Sequence, residues 1–548
     1  MSLLVANALF PDITHTPKFY EEKYPKRNIK EGARVTRFAP SPTGFLHLGS
    51  LYSAFIDKLI ADSTGGIYYL RIEDTDKKRE VENGVSLILD GLYAFGVVPD
   101  EGVTGESSYK GDYGPYSQSY RGEIYRTYAK ELVEKGFAYP CFCTPEELDD
   151  LREAQEKKGE TPGYYGEFAK CRTLSEQEQI AKIKEGKPFV LRIKSDSDSD
   201  KKIIVDDLIR GKLELPVNTL DAVILKSDGI PPYAFAHAVD DHLMRTTHVV
   251  RGDEWIATLP LHIQIFAALG FKPPKYVHIS PIMKMDGDSR RKLSKRKDPE
   301  AAVDYYKSEG FPAVSVREYL LTLANSNFED WRRQNPKAPQ SEFPFNIKKM
   351  SGSGALFDLM KLEDVSKNVI SVMTADEVYS GAADWAKEHN AELYSLLFSN
   401  PDYAKAVFSI DRDCKKPRKD IRKWSDIKEY VEYFYDELYK PSYNLPNNIS
   451  KEDAKDILTA YVSVYDENDE KELWFNKIKQ LCEPFGFTPN VKEYKENPDA
   501  FKGHIGDVSS LIRLAVTSRI NTPDLCLIMK LLGEKTVNKR INDFLEAI

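Results

Sequence analysis

Arg37, Ser41, His47, Gly49 and Ser50 fall in one run, Arg37-Phe-Ala-Pro-Ser-Pro-Thr-Gly-Phe-Leu-His-Leu-Gly-Ser50. A histidine and a serine at the start of a helix meet unpaired backbone N–H groups and the positive end of the dipole, a setting that suits phosphate. The histidine can hydrogen-bond that phosphate as charge develops on it. Gly44 and Gly49 let a nucleotide come close to the backbone, and the planar fork of Arg37 matches a carboxylate. Far downstream, Lys292-Leu-Ser-Lys-Arg296 sets Lys292 and Lys295 on either side of Ser294. Two lysines on a loop can close over a triphosphate and neutralise charge moving onto pyrophosphate. Singly, each motif has a plain reading: a glycine-containing turn before a core helix, and a solvated basic run.

The elements around them must do the positioning. Ala33 to Phe38 is short and β-biased, and Pro40, Pro42 and Gly44 then forbid regular structure. From Leu46 to Ser63 apolar residues recur at helical spacing (Leu48, Leu51, Phe55, Leu59, Ile60), which places His47 and Ser50 in the first turn; Gly65-Gly66 stops the pattern. Gly66 to Asp74 reads as a second strand. Strand, turn, helix and strand make one βαβ unit, so two parallel strands with a right-handed crossover are expected. Further helices are predicted over Val81 to Tyr93, Arg121 to Lys135 and Glu146 to Lys158, and strands over Phe189 to Lys194 and Lys202 to Val205. Asp221 to Lys226 is an unbroken apolar strand suited to a buried parallel sheet. Tyr233 to Asp241 is predicted helical and His248 to Arg251 a strand. Gly252-Asp-Glu-Trp255 leaves that strand at its carboxyl end, where open α/β sheets place ligands. From Pro299 onward the chain reads as helical, with segments at Val316 to Leu323, Leu356 to Leu362, Val365 to Val372, Asp507 to Leu514 and Asp524 to Leu532.

At 548 residues the chain is too long for one core. Its 41% hydrophobic and 30% charged content is that of a soluble globular protein. A net charge of −9 argues against a uniformly basic nucleic-acid coat, so any RNA must bind through local patches. The densest such patch is Arg412, Lys415, Lys416, Arg418, Lys419, Arg422 and Lys423. No stretch reaches the roughly 18 apolar residues of a membrane span. The amino-terminal segment has neither signal-peptide nor transit-peptide character. Six cysteines, three of them crowded at Cys141, Cys143 and Cys171, suit a reducing cytosol and a metal better than a disulfide frame.

Thr36-Arg-Phe-Ala-Pro-Ser-Pro-Thr-Gly44, then His47-Leu-Gly, then Leu70-Arg-Ile-Glu-Asp-Thr-Asp76, resembles the active-site opening of the glutamyl-tRNA synthetases, of bacterial type. His47-Leu-Gly-Ser50 stands as the "HIGH" signature of class I aminoacyl-tRNA synthetases, with Ser in the fourth place. Lys292 to Arg296 resembles their "KMSKS" loop. The resemblance implies an α/β fold: a Rossmann-like parallel sheet catalytic domain, an inserted α/β acceptor-end domain, and an all-helical stem-contact and anticodon-binding half. The expected divisions are 1–32 as an extension, 33–110 and 220–298 as the catalytic halves, 111–219 as the insert, 299–374 as the stem-contact domain and 375–548 as the anticodon-binding domain.

The same resemblance implies a cytoplasmic, monomeric glutamate–tRNA ligase that uses ATP and Mg²⁺. His47 and Lys295 are expected to stabilise phosphate charge, with Lys292 in a lesser part. Gly49, Ser50, Glu254 and Ser294 would complete the ATP site. Ser41 and Glu73 would hold the ammonium of glutamate. Arg37 with Tyr233 would read its γ-carboxylate, and Arg251 would bind the other end or assist Arg37. Asp240 and Asp241 also match residues around the family's active site. His237 stands where many relatives carry a polar amide or a small residue. Cys141, Cys143, Cys171 and Tyr164 resemble a structural Zn²⁺ site in the acceptor-end domain. The alternative is three buried thiols packed as small hydrophobes.

Three rivals lose ground. A glutaminyl-tRNA synthetase should end in β-barrels, a truncated base-modifying paralogue would lack the anticodon half, and a non-catalytic relative would lose His47, Lys295 or Arg37. The tRNA partner is tRNA(Glu), and tRNA(Gln) also where reading of the third anticodon base is relaxed. Lys423 stands near the discriminating position, and lysine makes a poorer planar contact to a base edge than arginine. Strict discrimination through Arg418 or Arg422 is the rival reading.

Overall fold

Val35–Phe38 and Ile67–Leu70 pair in parallel, Val35 opposite Ile67, with the Leu48–Asp62 helix crossing between them. A Cβ at Gly66 would lie 1.9 Å from the Arg34 carbonyl oxygen, so only glycine lets the second strand start this close to the first. The strand stops sooner than expected. Its pairing ends at Leu70, and Ile72 turns to bridge Ser117. His47 caps the helix from an extended backbone and is not itself in the first turn.

A computed structural model describes residues 3–76, 80–196, 200–294, 296–446 and 449–548. The chain forms two units: Met1–Tyr305 with Arg317–Asp358, and Tyr306–Val316 with Leu359–Ile548. In the first unit, Glu101–Gly105 and Ser108–Lys110 extend the opening sheet. A second sheet runs in the order His248–Gly252, Lys275–Ile279, Lys202–Asp207, Gly211–Pro216. Its first two strands are parallel, with Arg251 opposite His278. Thr247 N donates to Val35 O at 2.9 Å, which joins the two sheets beside Arg37.

Asp221 to Lys226 does not enter a parallel sheet. Val223–Leu225 lies antiparallel to Val190–Ile193, which in turn is antiparallel to Ala138–Cys141. The short apolar run is buried by neighbours of the opposite sense. Met283–Asp286 and Ser289–Lys292 form a hairpin, so the basic run begins on a strand. Leu356 bridges Met283, and the helix expected there begins only at Leu359.

The amino-terminal segment is tied down by polar contacts. Arg27 places its guanidinium 2.9 Å from both oxygens of Glu101 and donates to Met244 O at 3.0 Å. Glu21 meets His242 and Arg245, and Arg245 donates to Tyr24 O.

The second unit is built from helices, including Ala375–His389, Lys451–Val464, Ile505–Thr517 and Glu534–Ala547. One two-residue parallel pair, Phe487–Thr488 with Gly503–His504, is its small β feature. Two apolar cores fill it, one around Trp474, Ile478 and Leu511, the other around Leu393, Val407 and Ile427. Among the described residues, no helix is long and apolar enough to cross a membrane.

Candidate active site

The helix that follows the proline-rich turn starts with its own cap. His47 Nδ1 accepts from Ser50 N at 3.1 Å, and Ser50 Oγ lies 3.0 Å from His47 Nε2. A Cβ at Gly49 would stand 3.2 Å from His47 Nδ1, so glycine also leaves room for the imidazole. Ser41 is exposed on the turn, next to Pro40, whose carbonyl accepts from Glu73 N at 3.0 Å. That bond carries Glu73 to the edge of the same turn.

Beneath the turn lies a buried lattice of charge. Arg37 Nε is 3.3 Å from each Asp241 oxygen, Arg71 Nη1 donates to Asp241 at 2.6 Å, and Arg71 Nη2 to Glu73 at 3.1 Å. Asp240, one residue earlier, accepts from Arg121 at 2.6 Å, Tyr125 at 2.7 Å and Gln118 at 2.9 Å. Against burial, which would raise it, the Arg37 and Arg71 guanidiniums hold the Asp241 carboxyl well below the usual range. Glu73 goes the other way: burial lifts it to about 7 despite Arg71 and Arg37. Asp57, buried in the helix after His47, has its pKa raised by burial against the pull of the Arg37 charge.

Several buried guanidiniums keep donors in reserve, Arg37 and Arg251 among them. Arg37 Nη2 and both terminal nitrogens of Arg251 are buried and have no hydrogen-bond partner among the described residues. Arg251 is held from behind: its Nε donates to His278 Nε2 at 3.0 Å, and its guanidinium lies 4.7 Å from the Tyr276 ring. Tyr233 begins the Tyr233–Leu243 helix, stacks on His237 with centroids 5.5 Å apart and packs 4.5 Å from Trp255. His237 Nδ1 lies 2.6 Å from Asp241, yet burial pushes the imidazole down to about 4, so it stays neutral at pH 7. An unpartnered buried donor costs about 1 to 3 kcal/mol. A ligand carboxylate would satisfy such donors, and a neutral imidazole beside them adds no competing charge.

Glu254 is exposed in the Asp253–Thr258 turn, its carboxylate folded over Gly252, where a Cβ would come within 2.1 Å of it. Lys292 is exposed at the end of its hairpin. Ser294 N donates to Asp298 at 2.9 Å, and Arg291 grips the same carboxylate at 2.5 and 2.8 Å. Lys295 lies outside the described residues.

Away from this centre, Cys141 ends a strand, Cys143 follows it, and Cys171 sits in the Lys170–Thr173 turn. Their sulfurs lie within 4.8 Å of one another, and Cys143 and Cys171 are 3.7 Å apart. Tetrahedral ligation at a Zn–S length near 2.3 Å sets sulfurs about 3.8 Å apart, so the set fits that ion. Tyr164 Oη is 3.3 Å from Cys143 Sγ and accepts from Cys171 N at 3.0 Å.

The structure thus gathers Arg37, Glu73, Tyr233 and Arg251 through shared partners, and sets Ser41 and His47 on the adjoining turn. Sequence reasoning missed Arg71, Arg121, Asp207 and His278. The one available signal was charge inside apolar strands, as in Leu70-Arg-Ile.

A parallel-sheet domain with a capping histidine in a His-Leu-Gly-Ser turn, then a Lys-Leu-Ser loop, has the layout of the class I synthetase catalytic domain. The family model described as "tRNA synthetases class I (E and Q), catalytic domain" matches residues 34–363, and the chain belongs to that family. A glutamate–tRNA ligase of Clostridium perfringens is 50% identical over 99% of this chain and 99% of its own. One from Sorangium cellulosum is 46% identical over 96% of this chain and 98% of its own. A solved structure, a glutamate tRNA ligase from Elizabethkingia meningosepticum in complex with its amino acid, superposes with a TM-score of 0.74. It is 28% identical and covers 94% of this chain and 99% of that one.

Proposed function

We propose that the chain is a glutamate–tRNA ligase: it activates L-glutamate with ATP to glutamyl-adenylate and transfers it to the terminal adenosine of tRNA(Glu), releasing AMP and pyrophosphate. The observation that carries the substrate assignment is the pair of buried arginines, Arg37 and Arg251, with three terminal nitrogens unpartnered. Glutamate brings two carboxylates and one ammonium, and Glu73 with Ser41 is the natural seat for the ammonium.

The first step is in-line attack of a carboxylate on the α-phosphorus. No covalent enzyme intermediate is built, so positioning and charge stabilisation carry the rate. His47, with Gly49 and Ser50 at the helix start, stabilises the phosphate; Lys295, with Lys292 in a lesser part, neutralises the departing pyrophosphate, and Ser294 hydrogen-bonds the triphosphate; Glu254 holds the adenosine. Mg²⁺ bound with the triphosphate would offset charge on its oxygens.

The division proposed for the chain is that of an interrupted catalytic domain (33–110 and 220–298), an acceptor-end insert (111–219), a stem-contact domain (299–374), an anticodon-binding domain (375–548) and an extension (1–32). Zinc held by Cys141, Cys143, Cys171 and Tyr164 would brace the insert. The enzyme is read as a cytoplasmic monomer that also charges tRNA(Gln). The test is aminoacylation of purified tRNA(Glu) with labelled glutamate and, in parallel, labelled glutamine. Charging with glutamine alone would overturn the proposal.

A further inference from the structure

Arg251, His278 and Asp207 lie side by side on three adjacent strands of the second sheet. Arg251 and His278 are register partners in the parallel pair, and Tyr276 on the same strand as His278 is the register partner of Asp207. All three side chains are buried, none more than 5% exposed.

The hydrogen bonds through this row have a fixed direction. Asp207 Oδ1 accepts from Ile209 N at 2.9 Å and Arg210 N at 2.8 Å. Its Oδ2 accepts from His278 N at 3.0 Å and lies 2.8 Å from His278 Nδ1. A carboxylate ringed by three backbone donors can only accept, so Nδ1 carries the imidazole proton. That leaves the lone pair on Nε2, and Arg251 Nε donates to it at 3.0 Å. Burial keeps His278 neutral, pushing its pKa down against the pull of Asp207. The Tyr276 ring stacks on the imidazole, centroids 5.7 Å apart, and also underlies the guanidinium. With Nε occupied, the only donors Arg251 has left are its two unpartnered terminal nitrogens, a fork aimed by the row behind it.

We infer that Asp207 and His278 are positioning residues for Arg251: the carboxylate sets the imidazole tautomer, and the imidazole holds the guanidinium in the orientation that receives the substrate's carboxylate. This rests on the reading of Arg251 as a glutamate ligand. An arginine stem left to itself keeps several rotamers open, and freezing them before the substrate arrives removes that entropy cost from binding. The other tautomer, or a protonated ring, would point N–H at N–H and turn the fork away.

The test compares His278→Phe, His278→Gln, Asp207→Asn and Arg251→Ala in full-length enzyme, reading KM for glutamate, KM for ATP, kcat and the melting temperature. Phenylalanine keeps the ring and the stacking on Tyr276 but offers no acceptor; glutamine offers a carbonyl oxygen. His278→Phe is expected to raise KM for glutamate about tenfold or more and to leave KM for ATP within about twofold, with His278→Gln recovering much of the loss. Asp207→Asn should move the same constant in the same direction. A glutamate KM within about twofold of wild type in His278→Phe, while Arg251→Ala raises it tenfold, overturns the positioning role. Equal rises in both KM values, with no recovery in His278→Gln, mark a merely structural role and overturn it too. An unchanged glutamate KM in Arg251→Ala would instead sink the reading of Arg251 itself. Where His278→Phe does not fold, His278→Gln and Asp207→Asn decide: an unchanged glutamate KM in Asp207→Asn counts against the tautomer control.

Discussion

Arg37 Nε lies 3.3 Å from both carboxylate oxygens of Asp241, a residue 204 positions away in sequence, and both side chains are buried. Asp241 also holds Arg71, so one carboxylate fixes two guanidiniums. Arg37→Lys keeps the charge and loses the planar fork. The expected loss of transition-state stabilisation is roughly 2 to 5 kcal/mol, the range for disturbing a buried paired charge. Steady-state kinetics decide: a fall in kcat/KM for glutamate of less than about tenfold would mean that Arg37 does not read the carboxylate.

Lys295→Ala should slow the chemical step by orders of magnitude and leave tRNA affinity nearly unchanged, because the lysine is proposed to act on charge that exists only as pyrophosphate departs. Single-turnover rates with saturating ATP measure this. Near-normal turnover would remove the loop assignment.

In its proposed seat for the substrate ammonium, Glu73 should make glutamate binding pH-dependent. Burial raises its folded-state pKa to about 7, above the carboxylate range, and only the charged form pairs with an ammonium. As pH falls below 7 the charged fraction falls, so KM for glutamate should rise about tenfold per unit. Glu73→Gln should raise KM at pH 8 and flatten this dependence. A wild-type KM constant from pH 5.5 to 8 would count against it.

Zinc is settled by elemental analysis of protein prepared without chelators. We expect about one ion per chain, lost when Cys141 and Cys171 are both changed to Ser. A stoichiometry near zero favours buried thiols.

Anticodon reading at the third base is the part proposed for the helical unit. Lys423 pairs with Glu309 and is half-buried; Arg418 pairs with Asp420, and Arg422 with Asp426 and Glu363. Each of these cations already has a carboxylate partner, which a contact to a base would have to displace. Charging of tRNA(Gln) with glutamate should be detectable beside tRNA(Glu). Efficiency below about a thousandth, a gap of roughly 4 kcal/mol, would rule it out.

The βαβ opening and the His47 turn were legible because their signals are local: prolines, a glycine pair and apolar residues at helical spacing. Partners were not. Asp241 looks like one of two acids at the end of a helix, and nothing near it in sequence announces Arg37 or Arg71. Val223–Leu225 was assigned to the wrong kind of sheet, since a three-residue apolar strand reads the same whether its neighbour runs parallel or antiparallel. His278 carried no signal, because its role comes only from the strands on either side.

The amino-terminal segment imposes an order on synthesis. Glu21, Tyr24 and Arg27 find their partners at His242, Met244 and Arg245, more than 200 residues later. The ties to Glu101 and Gly114 can form earlier, but at roughly 5 to 20 residues per second these later partners are made on the order of 10 to 45 seconds after the segment itself. The segment is therefore fastened in two stages, first to Glu101 and Gly114 and last to the turn at His242, Met244 and Arg245.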